Sequence, residues 1–285
     1  MNHELTVDEA GSGKRIDLFV GEALSLSRAK LKALFEEGRV KLNGKKTKKG
    51  MLVVRGDRLQ VEVPDARGLT PDDALPLRTL HVDEALVFID KPAGVPSQPL
   101  KPGETGTIAN ALVARFPEML ELGDDEREAG LVHRLDKETS GVTVFGKHAR
   151  ATSWLAAAFR EGRVVKEYVA LVGPGLPAEG VIDLPLSRDP SRPGRWRASR
   201  QANGLSALTQ FTRLAEEAGR VRVALHPRTG RTHQLRAHLT ALGFPIVGDR
   251  LYGGPAGPRC LLHARRLELE GLVLESPLPA DFTSG

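Results

Sequence analysis

The strongest chemical signal in the chain is an aspartate in an apolar setting, ringed by basic and small polar residues. It lies in the run His133-Arg134-Leu135-Asp136-Lys137-Glu138-Thr139-Ser140-Gly141. Leu131, Val132 and Leu135 precede Asp136, and Val142, Val144 and Phe145 follow. That pattern predicts a carboxylate where two buried strands meet at a turn ending in Gly141. Burying a charge is costly without a partner, so the side chain either caps its own turn or has chemistry to do. An ionised carboxylate can act as nucleophile or base. A cation should stand beside it to keep it ionised.

Other chemically loaded blocks flank this one. Asp90-Lys91-Pro92-Ala93-Gly94 comes before it, and Lys166-Glu167-Tyr168 after it. Next come Thr229-Gly230-Arg231-Thr232-His233-Gln234-Leu235-Arg236, then Gly248-Asp249 with Leu251-Tyr252-Gly253. In identity and order these blocks resemble the RluA family of RNA pseudouridine synthases, whose HRLDxxTSG active-site string is matched without gap or substitution at 133–141. The resemblance runs over roughly residues 80–275. The residues before it are similar to the small RNA-binding domain of the ribosomal-protein S-four type.

The resemblance implies an isomerase that converts uridines of structured RNA to pseudouridine. Large-subunit ribosomal RNA is favoured and transfer RNA is the alternative. Asp136 would be the nucleophile, adding to the base, attacking the ribose or opening a glycal route; the residues do not choose among these. Tyr168 would stack on the base and take the proton from carbon 5. Arg231 would hold Asp136 in a forked, two-bond geometry that an ammonium cannot copy. Arg134, Gln234 and Arg236 would contact RNA. The chemistry calls for no metal, nucleotide or redox cofactor. The implied fold is α+β: a mixed, mainly antiparallel sheet with flanking helices, plus a small α/β N-terminal module.

Two other classes compete. His133, His226, His233, His238 and His263 invite a metal-hydrolase reading, but His233 and His238 are five apart and no HExxH occurs. A non-catalytic RNA-binding protein is the other, and the joint presence of Asp136, Tyr168 and Arg231 argues against it.

The elements that must position these residues divide into two units. At 285 residues the chain has room for one large core and a small appended domain. Charge is uneven: between Gly13 and Val63 there are 13 Lys or Arg against 6 Asp or Glu, a surplus of seven in a chain of net +5. The predicted module, 13–63, therefore carries the positive charge, and the rest sums to −2. In it, Ile16, Phe19, Val20 and Leu24 are spaced as a helix. Ser27 would cap a second helix with stripe Leu31, Leu34, Phe35, ended by Gly38. Asn43-Gly44 predicts a hairpin turn, followed by strands at Met51–Val54 and Leu59–Val63. Arg28, Lys30, Lys45, Lys46, Lys48 and Lys49 are the expected phosphate contacts.

Residues 64–79 read as a proline-bearing linker, and 80–279 as the catalytic domain. There, Leu86–Ile89, Val164–Val172 and Val221–Leu225 are expected strands, and Thr107–Phe116 and Ala149–Glu161 expected helices. Residues 229–239 are also read as helical. A lone cysteine, Cys260, excludes an internal disulfide and reads as buried filler. No apolar run is long enough for a membrane span and no leader pattern is present, so a cytoplasmic monomer is expected.

Overall fold

The computed structural model describes residues 2–24, 26, 28–63, 69–120, 122, 127–200 and 204–282, with the side chains of 28–30 left out. The expected Ser27 cap, the side chains of Arg28 and Lys30, and linker residues 64–68 thus lie outside the described residues.

The N-terminal module contains β1 (Asn2–Thr6), α1 (Ile16–Leu24), α2 (Arg28–Glu36), β2 (Val40–Leu42), β3 (Lys45–Lys46) and β4 (Arg58–Glu62). Its sheet runs β1-β4-β2-β3, antiparallel throughout. Asn43 and Gly44 turn β2 into β3 with φ of 51° and 79°, the left-handed pair that suits the twist of a two-residue hairpin. Gly38, with φ 67°, ends α2 as its position promised. Two expectations change. The module starts earlier than residue 13, since β1 pairs with β4 over Asn2–Glu62 to Thr6–Arg58. Met51–Val54 is no strand: only Leu52 makes a bridge, to Arg15. Ile16, Val20, Leu31, Leu34, Val40, Leu59 and Val61 close a core that, among the described residues, draws only on the module.

The large domain continues with β5 (Arg78–Val82), β6 (Leu86–Lys91), α3 (Ile108–Arg115), β7 (Ser140–Gly146), α4 (Ala149–Arg160) and β8 (Val164–Val172). Then come β9 (Glu179–Asp183), β10 (Leu186–Arg188), β11 (Trp196–Ala198), β12 (Leu208–Glu217), β13 (Arg220–Pro227), α5 (Gln234–Ala241), β14 (Leu262–Leu269) and β15 (Leu272–Glu275). The main sheet has the order β5-β6-β7-β14-β8-β13-β12-β9, with β15 on β14, and β10-β11 form a separate hairpin. Of its pairings only β7 with β14 is parallel, so the sheet is mixed and mainly antiparallel. No helix among the described residues is long and apolar enough to cross a membrane.

The second half of the linker is docked rather than loose. Leu69 is buried in the cluster of Ile89, Ile108, Leu112 and Phe145. The Thr70 carbonyl accepts from the Asn110 amide at 2.8 Å, and Asp72 accepts from the Gly106 N–H at 2.9 Å. Asn110 also closes a capping box with Thr107 at the start of α3, so one buried side chain anchors both segments.

Candidate active site

Asp136 opens the turn at the head of β7, where Thr139 N–H donates to the Asp136 carbonyl at 3.0 Å. The stretch before it is extended but not a strand, contrary to expectation. Only Leu131 bridges to Phe145, because the His133 ring takes the Val144 N–H at 3.1 Å, displacing a ladder carbonyl. His133 is accordingly a neutral structural acceptor: burial, then the nearby Lys166 charge, pushes its pKa down to about 3. Leu135 is buried while Arg134 points outward to the cleft, the alternation of an extended segment.

A second loop clamps the turn from below. Lys91, fully buried, donates from Nζ to the carbonyls of Pro92 (2.9 Å), Val95 (2.8 Å) and Lys137 (3.1 Å). Gly94 N–H and Ser97 Oγ donate to the carbonyls of Lys137 and Leu135. Burial pushes the Lys91 pKa down to about 7, with the charges of Asp136 and Glu138 pulling the other way. Gly141 completes the fit: its φ is 113°, and a Cβ there would collide with the Ala264 carbonyl of β14. The motif glycine therefore allows the one parallel strand pairing to form directly behind Asp136.

The carboxylate does not cap its own turn. Asp136 Oδ2 accepts from Arg236 Nη1 at 3.0 Å and lies 3.7 Å from His233 Nε2, while Oδ1 has no partner among the described residues. Arg236 is buried, and its Nε and Nη2 donate to the two oxygens of Asp249 at 2.7 and 2.8 Å. Burial opposes the Arg236 charge, but the Asp249 hydrogen bonds and the charges of Asp249 and Asp136 outweigh it and its pKa rises. The fork-to-fork pair fixes the guanidinium and so aims Nη1 at Asp136.

Arg236 thus replaces Arg231 as the cation beside Asp136. The expected helix from 229 starts only at Gln234, after His233 adopts a left-handed φ of 56°. That reversal turns Arg231 outward at the cleft lip, where its Nε donates to the Ser206 carbonyl at 3.1 Å. It also sends Gln234 and Arg236 inward. Gln234 is buried, donating to Leu208 O and Thr209 Oγ1 and accepting from Thr229 Oγ1 and Arg231 N–H. Gln234 and Arg236, expected to contact RNA, both line the cleft, with their polar groups engaged by neighbouring protein groups.

A cleft of about 770 Å³ opens over Asp136, with Tyr168, Lys166, Arg134, Arg228 and Arg231 among its walls. Tyr168 sits on β8 between Leu225 of β13 and Ala264 of β14. Its hydroxyl has no protein partner among the described residues, and burial followed by the Asp136 charge raises its pKa, so the phenol stays protonated. Lys166, two residues earlier, reaches the same cleft half-buried and has no carboxylate partner among the described residues; burial lowers its pKa. Period-two spacing from Tyr168 was the available sequence signal for Lys166. Lys45, Lys46, Lys48 and Lys49 are all exposed on the module, at β3 and the loop after it.

Comparison with known proteins shows the family of the chain. The sequence profile of the RNA pseudouridylate synthase family matches residues 85–241. An uncharacterised RNA pseudouridine synthase of Bacillus subtilis (strain 168) is 32% identical over 98% of this chain and 94% of its own length. Ribosomal large subunit pseudouridine synthase D of Nitrosomonas europaea is 33% identical over 99% of this chain and 86% of its own. The solved structure of human RNA Pseudouridylate Synthase Domain Containing 4 superposes with a TM-score of 0.59 at 30% identity, covering 72% of this chain and 90% of that one.

Proposed function

Because the chain belongs to the RNA pseudouridylate synthase family, we propose that it isomerises uridines of large-subunit ribosomal RNA with Asp136 as its nucleophile. One observation carries the residue assignment. Asp136 faces the cleft with Oδ2 held by Arg236 and Oδ1 without a partner among the described residues. A carboxylate so held is aimed and half free, as covalent catalysis requires. The name of the Nitrosomonas relative supports the ribosomal target.

The reaction breaks the bond from uracil nitrogen 1 to the ribose, turns the base, joins carbon 5 to the ribose and releases the carbon 5 proton. The bond to Asp136 Oδ1 is transient, so the carboxylate is regenerated. Tyr168 offers a neutral ring face for the turning base, and as a protonated phenol it can take the carbon 5 proton only while handing its own on. Lys166 suits a uracil carbonyl or the neighbouring phosphate. Extruding the nucleotide costs a few kcal/mol, offset by phosphate contacts from Arg134 and Arg231 at the cleft and from the module lysines.

Tritium release from RNA labelled at carbon 5 of uracil, measured with a chelator present, tests the proposal. Stoichiometric release is expected. Tight RNA binding without release would favour the non-catalytic reading.

A further inference from the structure

Loss of the carbon 5 proton needs an acceptor, and Tyr168 is a poor one, because burial and the Asp136 charge keep its phenol protonated. His233 lines the same cleft, with Nε2 3.7 Å from Asp136 Oδ2. Its side chain is 16% exposed, enough to meet a substrate and little enough to keep bulk water away. Nε2 has no hydrogen-bond partner among the described residues, while Nδ1 lies 3.2 Å from the Tyr252 hydroxyl oxygen.

The Tyr252 hydroxyl decides which ring nitrogen carries the proton. A phenol has one hydrogen to give and lone pairs with which to accept. Tyr252 gives its hydrogen to the Trp196 carbonyl at 2.9 Å and accepts the Trp196 N–H at 3.0 Å. It has no hydrogen left for His233, so that bond runs from Nδ1–H to the tyrosine oxygen. The neutral ring therefore turns an unprotonated Nε2 to the cleft. Tyr252 is itself buried, with the guanidinium carbons of Arg195 and Arg236 each 5.0 Å from its ring centre. Burial lowers the His233 pKa; Asp136 opposes it, Arg236 and Arg134 act with it, Asp249 opposes it, and the net shift is downward. The backbone holds a left-handed φ of 56°, a costly conformation of the kind that gathers at functional sites.

We propose that His233 is the general base of the isomerisation, taking through Nε2 the proton that leaves carbon 5 once the ribose is joined there. The inference rests on the isomerase reading. The electron pair of the carbon–hydrogen bond closes the double bond between carbons 5 and 6. The pair that had joined carbon 6 doubly to nitrogen 1 returns to nitrogen 1, which takes a proton from water. The imidazolium, beside the Asp136 carboxylate, then gives its own proton to water in the cleft. A structural tether would need only Nδ1, and gives no reason to leave the Nε2 lone pair bare against a carboxylate.

Two substitutions and two substrates test this. Asparagine tolerates the left-handed φ and its amide can donate where Nδ1 does, so His233→Asn removes Nε2 and keeps the tether. His233→Gly suits the same φ and leaves room for added imidazole. Both are assayed in single turnover on a bacterial large-subunit ribosomal RNA transcript carrying either uridine tritiated at carbon 5 or 5-fluorouridine, whose carbon 5 has no proton to lose. Tritium release should fall on the order of a hundredfold in both variants, as loss of a general base does. Movement of the ribose to carbon 5 of 5-fluorouridine, read as a carbon-linked nucleoside after digestion, should stay within about threefold, since no base acts there. Imidazole should restore release in the Gly variant and not in the Asn variant. Release at the wild-type rate from the Asn variant would overturn the assignment and leave the isomerase reading standing. So would parallel loss on both substrates without imidazole rescue, which would make His233 a tether alone. Wild type inert on both substrates would instead overturn the isomerase reading, and the base would fall with it.

Discussion

At the scale of single residues, the arrangement turns on which arginine meets Asp136. Arg236 is bound on three sides by Asp136 and Asp249, whereas Arg231 is exposed at the lip. Removing one member of a buried ion pair leaves an uncompensated charge. Arg236→Met should therefore destabilise the fold by about 3–5 kcal/mol in denaturant titration and abolish turnover. Arg231→Lys should leave stability, the saturated rate and RNA affinity all near wild type, because its charge stays at the lip. Equal losses from both substitutions would contradict the geometry. The string at 133–141 was legible in the sequence because its types and spacing are local. Arg236 was not, since its role depends on Asp249, thirteen residues on, and on the backbone reversal at His233.

Among the elements, legibility followed the strength of the local signal. β8 matches its expected bounds and α4 ends one residue short, since nine β-rich residues and a periodic stripe leave little choice. The helical phase assigned to 229–233 failed because φ at His233 belongs to the tertiary fit. The β10–β11 hairpin has only a Pro-Gly-Arg turn between short basic runs to mark it in the sequence. The loop under the motif gives a pH prediction. Lys91 has a folded pKa near 7 against an ordinary 10.5, so between those values the unfolded chain binds more protons. By linkage, its contribution to stability rises with pH across that window and is flat below it. Unfolding free energies from pH 6 to 10 should show wild type gaining on Lys91→Met as pH rises. A constant gap would mean that Lys91 stays charged beneath the turn.

For the whole molecule, the question is how the basic module and the acidic remainder share the RNA. The module has its own core, while Leu69 and Thr70 belong to the large domain, so the cut that tests this follows Val63. Residues 64–285 should fold, bind long RNA more weakly with a shallower salt slope, about 0.7–0.9 lower per phosphate lost, and keep the saturated rate. An unchanged slope would mean that the large domain finds its RNA unaided. The most direct test of the central claim is Asp136→Asn, which keeps size and removes the nucleophilic charge. Single-turnover tritium release from RNA labelled at carbon 5 of uracil should fall below about a hundredth of wild type, as loss of a covalent catalyst costs several orders of magnitude, with RNA affinity unchanged. An Asn variant that binds equally well and releases tritium at a tenth of the wild-type rate or faster would show that Asp136 is not the nucleophile.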